Sequence, residues 1–277
     1  MTHVERFDIK YDGKLIRLSV KLRMVSDDLV VLLHGFGCAK ECFDDAFVAE
    51  GLQDLSICTF DFPGHGDSER SNASVYSLQS YADITNILLE KLSPKKVSMV
   101  CHSMGGAVGL IATQERSDVG MFVNVEGNLV ASDCGIVSRS TASQSFGTFK
   151  RSGYRKFLQD LRRSGSKPDK AWARWYAQAD PCALYKTAMS LVEWSDSNKL
   201  LDLFKSLHGR AYIYGENEIK DYLIPDLQDV SSHRIPGAGH FVMLDNPDAF
   251  YPLVSELVHR DTGVAATAEV DVLSRAL

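Results

Sequence analysis

Ser103 stands in Cys101-His102-Ser103-Met104-Gly105-Gly106, directly after the short apolar run Lys96 to Val100 and directly before a stretch that reads as a helix. A serine at such a strand-to-helix turn holds its hydroxyl above the sheet edge, where it can serve as a nucleophile if its neighbours are small. Gly105, Gly106 and Ala107 meet that demand. The usual form is Gly-x-Ser-x-Gly, and here Cys101 replaces the first glycine, a variant small enough to be tolerated. Read without chemistry, a serine here would simply cap the helix. The same turn leaves the Met104 backbone N–H free to meet negative charge. Acyl transfer needs a second such donor, and Phe36 in His34-Gly35-Phe36-Gly37 is expected to supply it, with a glycine on each side letting the main chain come close.

A serine hydroxyl needs a general base. Of the eight histidines, His240 follows Gly237-Ala238-Gly239, a segment able to place an imidazole over the nucleophile. His34, His65 and His102 sit inside turns and read as loop-packing residues. A carboxylate must then orient the imidazole. Glu126 ends the apolar run Met121 to Val125 and precedes Gly127. A charge at a buried strand end is costly without a task, although bracing the next loop together with Asn128 would also be one.

The elements that would position these groups are written in the alternation of runs. Leu29 to Leu33, Ser56 to Phe62, Lys96 to Val100 and Met121 to Val125 are each closed by glycine-rich punctuation. Such runs read as buried parallel strands. Leu78 to Leu92 and Gly106 to Arg116 read as helices between them, so the pattern predicts an α/β fold with a doubly wound, mostly parallel sheet. From about Val130 to Phe204 strand-like runs vanish, and helices are expected around Tyr154–Arg163, Lys170–Ala179 and Pro181–Glu193. Strands resume at Arg210 to Tyr214 and Ser232 to Ile235, and Phe250 to His259 reads as a closing helix. The expected organisation is a core over 1–129, a helical insertion over 130–205, a second part of the core over 206–262, and a flexible tail over 263–277.

In this order, His-Gly-Phe-Gly, then Asp61-Phe62-Pro63-Gly64-His65-Gly66-Asp67-Ser68, then Cys-His-Ser-Met-Gly-Gly, then Ile235-Pro236-Gly237-Ala238-Gly239-His240-Phe241, the chain resembles the α/β-hydrolase superfamily over about residues 10 to 260. The resemblance implies a serine hydrolase with Ser103 and His240 in its triad, Phe36 and Met104 in its oxyanion hole, and the helical insertion as its lid. It also implies a second candidate acid. The family usually draws that residue from the loop after the strand Arg210 to Tyr214, as Gly-x-x-Asp, and this chain has Gly215-Glu216-Asn217-Glu218 there. Glu218 fills the matching place with one more methylene. Some relatives, certain haloalkane dehalogenases among them, place the acid after the earlier strand, where Glu126 stands. Glu126 is taken first, Glu218 as the alternative, and Glu216 as a distant third. Epoxide hydrolases and haloalkane dehalogenases of this fold attack with aspartate, so a serine argues for acyl chemistry.

The expected activity is hydrolysis of carboxylic esters of small or medium acyl groups, lactones included, through an acyl-enzyme. A thioesterase or acyltransferase acting on acyl-CoA or acyl carrier protein, a serine-dependent C–C bond hydrolase, and a ligand receptor on the same fold are the alternatives. No cluster has metal-ligand spacing and no glycine-rich loop fits a nucleotide, so neither metal nor cofactor is expected. A net charge of −6 speaks against general nucleic-acid binding. The start lacks a secretory pattern, no run is long enough to span a membrane, and the six cysteines form no disulfide framework; a cytoplasmic enzyme with free thiols and a small-molecule acyl substrate is the expectation. Charge is uneven, however. Arg139 to Arg174 holds ten Lys or Arg against Asp160 and Asp169, or +8, leaving −14 for the rest of a chain whose total is −6. Solvated lid helices would explain this plainly, and a face for an anionic group more sharply.

Overall fold

The computed structural model describes residues 1–71 and 73–262, and the tail expected at 263–277 lies outside them. The chain opens with strands β1 (His3–Tyr11) and β2 (Lys14–Arg23), paired antiparallel in register from His3 opposite Leu22 to Tyr11 opposite Lys14. Asp12 and Gly13 close the hairpin with φ of 49° and 71°, as a two-residue turn matching the strand twist requires. β3 (Asp28–Leu33), β4 (Ser56–Phe60), β5 (Lys96–His102), β6 (Val119–Val125), β7 (Gly209–Gly215) and β8 (Ser231–Ile235) follow. They form one eight-stranded sheet in the order β1-β2-β4-β3-β5-β6-β7-β8, parallel from β4 onward. Every residue of β4, and all but the first of β3 and β5, is buried, because helices cover both faces and leave no polar side to alternate with.

Helix α1 (Leu78–Leu92) starts where the Ser77 hydroxyl accepts the Ser80 N–H and ends at Ser93 in the left-handed region. Helix α2 (Met104–Thr113) is buried at all ten positions, which its sequence MGGAVGLIAT permits on every face. Between β6 and β7 the chain is helical, with α3 (Ile136–Ala142), α4 (Phe146–Thr148), α5 (Tyr154–Arg163), α6 (Lys167–Gln178), α7 (Pro181–Asp196) and α8 (Lys199–Ser206). α9 (Val242–Asp245) and α10 (Pro247–Thr262) pack on one face of the sheet, in a core with Val30, Val100, Val123 and Ile213. No helix among the described residues is long and apolar enough to cross a membrane.

A buried ion pair ties the turns after β3 and β4 together. Lys40 is 2% exposed and Asp61 is fully buried; Asp61 accepts the Lys40 ammonium at 2.8 Å, the Lys40 N–H at 2.7 Å and the Asp67 N–H at 2.9 Å. Burial pushes the Asp61 carboxyl up to about 6, with Lys40 pulling against it. Lys40→Met strands that carboxylate and is expected to cost about 3–5 kcal/mol near pH 8. The sign follows from the raised carboxyl. A group held above its unfolded value favours folding below that value and loses this contribution as pH rises through the folded one. The difference between variant and wild type therefore shrinks toward pH 4, which urea unfolding at both pH values measures.

Candidate functional site

Ser103 sits between the end of β5 and the start of α2 with φ 53° and ψ −121°, outside the regions that L-residues favour. The Ser103 N–H donates to Val125 O at 2.9 Å, and its carbonyl accepts the Gly106 N–H at 2.8 Å. The turn is possible only because a Cβ on Gly105 would lie 2.4 Å from the Leu33 carbonyl oxygen. The missing first glycine of the elbow is made up on the helix. Cys101 is fully buried, and a Cβ on Gly109 would fall 2.7 Å from its sulfur, so the glycine at 109 gives the cysteine its room.

Glu126 closes β6 with φ 52°, a second strained non-glycine backbone in the same place. The following Gly127 is required, since a Cβ there would sit 1.9 Å from the Asn124 side-chain oxygen. Glu126 Oε1 accepts the Gly215 N–H at 2.7 Å, and its Oε2 lies 3.7 Å from His240 Nδ1 and 2.7 Å from Lys220 Nζ. Burial would push this carboxyl up, but His240 and Lys220 outweigh it and hold Glu126 below the ordinary carboxylate value. Lys220 is only 7% exposed, and its Nζ also lies 3.7 Å from Asp133. Burial would lower it, yet Glu126 and Asp133 raise it, so it stays charged. Tyr222 donates to the other side of the cluster at Asp133, 2.6 Å away.

His240 is carried by the loop after β8. Its carbonyl accepts from the His102 ring at 3.0 Å, which fixes Nε2 of His102 as the protonated nitrogen. His102 is fully buried, and burial pulls its imidazole well below the usual value, so it stays neutral and braces the loop. The sequence reading of His102 as a packing residue thus corresponds to a specific support for His240. Glu218 is also near: one oxygen from each of Glu126 and Glu218 and one ring nitrogen of His240 lie within 4.8 Å of one another. Those three are the groups here that could approach a cation, but the Lys220 ammonium already faces Glu126.

Phe36, Ser103, Glu126, Glu218 and His240 all line one cavity of about 830 Å³, whose floor is the C-terminal edge of the parallel strands. Met104, buried, begins α2 directly below it. Among the Asp, Glu, Lys and Arg side chains of the wall acids prevail: Glu126, Asp133, Asp169, Glu218 and Asp245 against Lys220. None of the ten cations between Arg139 and Arg174 lines this cavity; all ten are exposed, and Lys167, Lys170 and Arg174 line a separate cleft. Lys220 and Asp133 were not singled out for the site from sequence. A lone lysine two positions past Glu218 carries no pattern, and its meeting with Glu126 is set only when the loops after β6 and β7 come together.

The alpha/beta hydrolase family model matches residues 30–253. "Putative esterase/lipase 2" of Mycoplasma pneumoniae is 32% identical over 81 residues, which cover 29% of this chain and 30% of that protein, so the match spans under a third of that relative. "Uncharacterized hydrolase YugF" of Bacillus subtilis is 24% identical over 250 residues, covering 83% of this chain and 89% of that protein. Among solved structures, the N-acyl homoserine lactonase AidH complexed with N-butanoyl homoserine superposes with a TM-score of 0.76 over 95% of this chain and 98% of that one, at 15% identity. That likeness is one of fold. With the strained serine turn, the sheet order and a family model matched from β3 into α10, the chain belongs to the alpha/beta hydrolase family.

Proposed function

We propose that this hydrolase cleaves carboxylic esters of small or medium acyl groups, lactones included, through an acyl-enzyme on Ser103. The observation that carries the reading is the strained serine turn sharing one cavity with His240, whose Nδ1 faces Glu126 at 3.7 Å. In the proposed sequence, His240 takes the Ser103 proton as the hydroxyl attacks the ester carbonyl. The oxyanion is met by the N–H groups of Met104 and Phe36. Collapse expels the alcohol, which receives the proton from His240; a water activated by the same imidazole then releases the acid. Glu126 orients the ring and stabilises the imidazolium between these steps.

The acid-rich wall favours a substrate that is neutral around its reacting carbonyl, since a phosphate or carboxylate there would face like charge. The lactone and ester names of similar proteins are consistent with this class. A thioesterase reading keeps one supporting observation. Lys167, Lys170 and Arg174 border a neighbouring cleft, where the phosphates of an acyl-CoA could lie outside the acyl cavity. The helical segment over α3 to α8 is proposed as the lid.

Two measurements test the reading. A fluorophosphonate probe is expected to label the wild-type protein and not Ser103→Ala; equal labelling of both would sink the serine mechanism and favour a ligand receptor or another nucleophile. A p-nitrophenyl ester series of increasing chain length, run beside acyl-CoAs at low and high salt, is expected to favour neutral esters with little salt dependence. Faster turnover of acyl-CoA that fades with salt would support the thioesterase instead.

A further inference from the structure

The helical segment meets the loop after β3 through Trp172 and Tyr176 of α6. Trp172 of α6 donates its indole N–H to the Phe36 carbonyl at 2.9 Å, across 136 residues of chain. Phe36 lies in a turn closed by the Cys38 N–H on the Gly35 carbonyl at 3.1 Å, with Gly37 at φ +63°. That is the arrangement of a type II turn, in which the peptide between the two central residues, here Phe36 and Gly37, is the one free to flip. With glycines on both sides, nothing in the side chains of the turn resists such a flip. Trp172 holds the carbonyl of that peptide, whose N–H belongs to Gly37; the Phe36 N–H lies on the preceding peptide, whose Gly35 carbonyl accepts the Cys38 N–H, so a flip reaches it through the shared Phe36 Cα. The helix is also pressed onto the turn: a Cβ on Gly37 would lie 2.5 Å from the Tyr176 ring and 3.3 Å from the Trp172 nitrogen.

The other edge of the same indole meets the opposite loop. Its ring lies 5.3 Å from Phe241, the residue after His240, and Phe241 in turn lies 5.1 Å from the His102 ring that supports the His240 carbonyl. One side chain therefore touches both the turn expected to supply an oxyanion donor and the loop that carries the base.

We infer that Trp172 is a positioning residue that couples the seating of α6 to the geometry of the oxyanion turn: by holding the Phe36 carbonyl it fixes the Phe36 backbone, and with it the N–H on the neighbouring peptide, only while the helical segment is docked. This rests on the serine-hydrolase reading above. Because Trp172 also lines the cavity, a phenyl ring at this place both frees the central peptide and trims the wall, so an isosteric ring without the N–H is needed to separate the two.

Trp172→Phe is expected to lower kcat on a p-nitrophenyl ester about tenfold, because the loss of the hydrogen bond falls on the transition state alone. A trifluoromethyl ketone, which forms a tetrahedral adduct with the nucleophile, should lose affinity by the same factor as kcat/KM. Benzothienylalanine at position 172, which keeps the indole shape and lacks the N–H, should reproduce both losses with KM changed less than twofold and thereby separate the hydrogen bond from packing. Trp175→Phe on the same helix serves as the reference for general loosening and should leave both values near wild type. An unchanged kcat in the benzothienylalanine protein, or a change confined to KM, overturns the inference and makes Trp172 an ordinary wall of the acyl cavity. Activity surviving in Ser103→Ala would instead overturn the reading on which the inference rests.

Discussion

Ser103→Ala is expected to lower kcat on a p-nitrophenyl ester by about 10⁶-fold, His240→Ala by a comparable factor, and the double variant by no more than either alone. The two side chains act as one unit: an imidazole with no hydroxyl to deprotonate does nothing, and a hydroxyl with no base is inert near neutral pH. Residual turnover should remain above the uncatalysed rate, since the proposed oxyanion donors at Phe36 and Met104 would survive both changes. A folding measurement separates the chemistry from the scaffold. Alanine at φ 53° keeps the strain of serine, so Ser103→Ala should unfold within about 0.5 kcal/mol of wild type. Ser103→Gly removes the steric conflict and should gain about 1 kcal/mol while remaining inactive. Full activity in Ser103→Ala would move the nucleophile elsewhere. Cys38 does not offer itself, although it lines the cavity: it is 1% exposed and burial pushes its thiol far up, away from thiolate.

Legibility followed the range over which each feature is encoded. The parallel core was readable because strands covered on both faces need unbroken apolar runs, and those runs are local; LVVLL and SICTF lie within strands of the observed sheet. α1 was readable to the residue, since its cap at Ser77 and its periodicity both lie in the chain itself. The helix after Ser103 begins at Met104 rather than Gly106, because Ser103 itself occupies the N-cap position. The N-terminal hairpin was written in Asp12-Gly13, the residues its turn demands, yet β1 faces solvent with Glu, Arg, Asp and Lys between its apolar residues and shows no core run. What could not be read is the set of contacts between loops far apart in sequence: Lys220 on Glu126, His102 on His240, Trp172 on Phe36. Each joins polar or aromatic groups whose partners are chosen by the fold and leaves no periodic trace. The charge of the helical segment was legible in amount but not in place. Its cations are all exposed and none reaches the cavity it borders, where the charged side chains are mostly acidic.

The choice between the two glutamates has a decisive expected outcome. Glu126→Gln should lower kcat by about 10⁴-fold, the loss typical of a triad acid made neutral, whereas Glu218→Gln should lower it less than tenfold. Glu126 is held in three directions: its Oε1 by the Gly215 N–H, its Oε2 by Lys220, and its backbone N–H by the Ile213 carbonyl at 2.8 Å. That support fixes the carboxylate facing His240 Nδ1, and the strained φ of 52° at Glu126 is the backbone cost of aiming it there. Glu218 shares the neighbourhood from a half-buried loop. Lys220 adds a second, sharper expectation. In wild type its charge is balanced by Glu126 and Asp133, but in Glu126→Gln it loses its nearer partner and stands beside the ring that must become imidazolium. Adding Lys220→Met to Glu126→Gln should therefore restore about tenfold of the lost rate, a change worth about 1.4 kcal/mol, while Lys220→Met alone removes one of the three supports of Glu126 and should lower kcat less than Glu126→Gln does. Steady-state kinetics of the four proteins form one cycle. A larger loss from Glu218→Gln than from Glu126→Gln would transfer the orienting role to the loop after β7, and recovery by Lys220→Met would then be absent, because the lysine would no longer stand between the ring and its counter-charge.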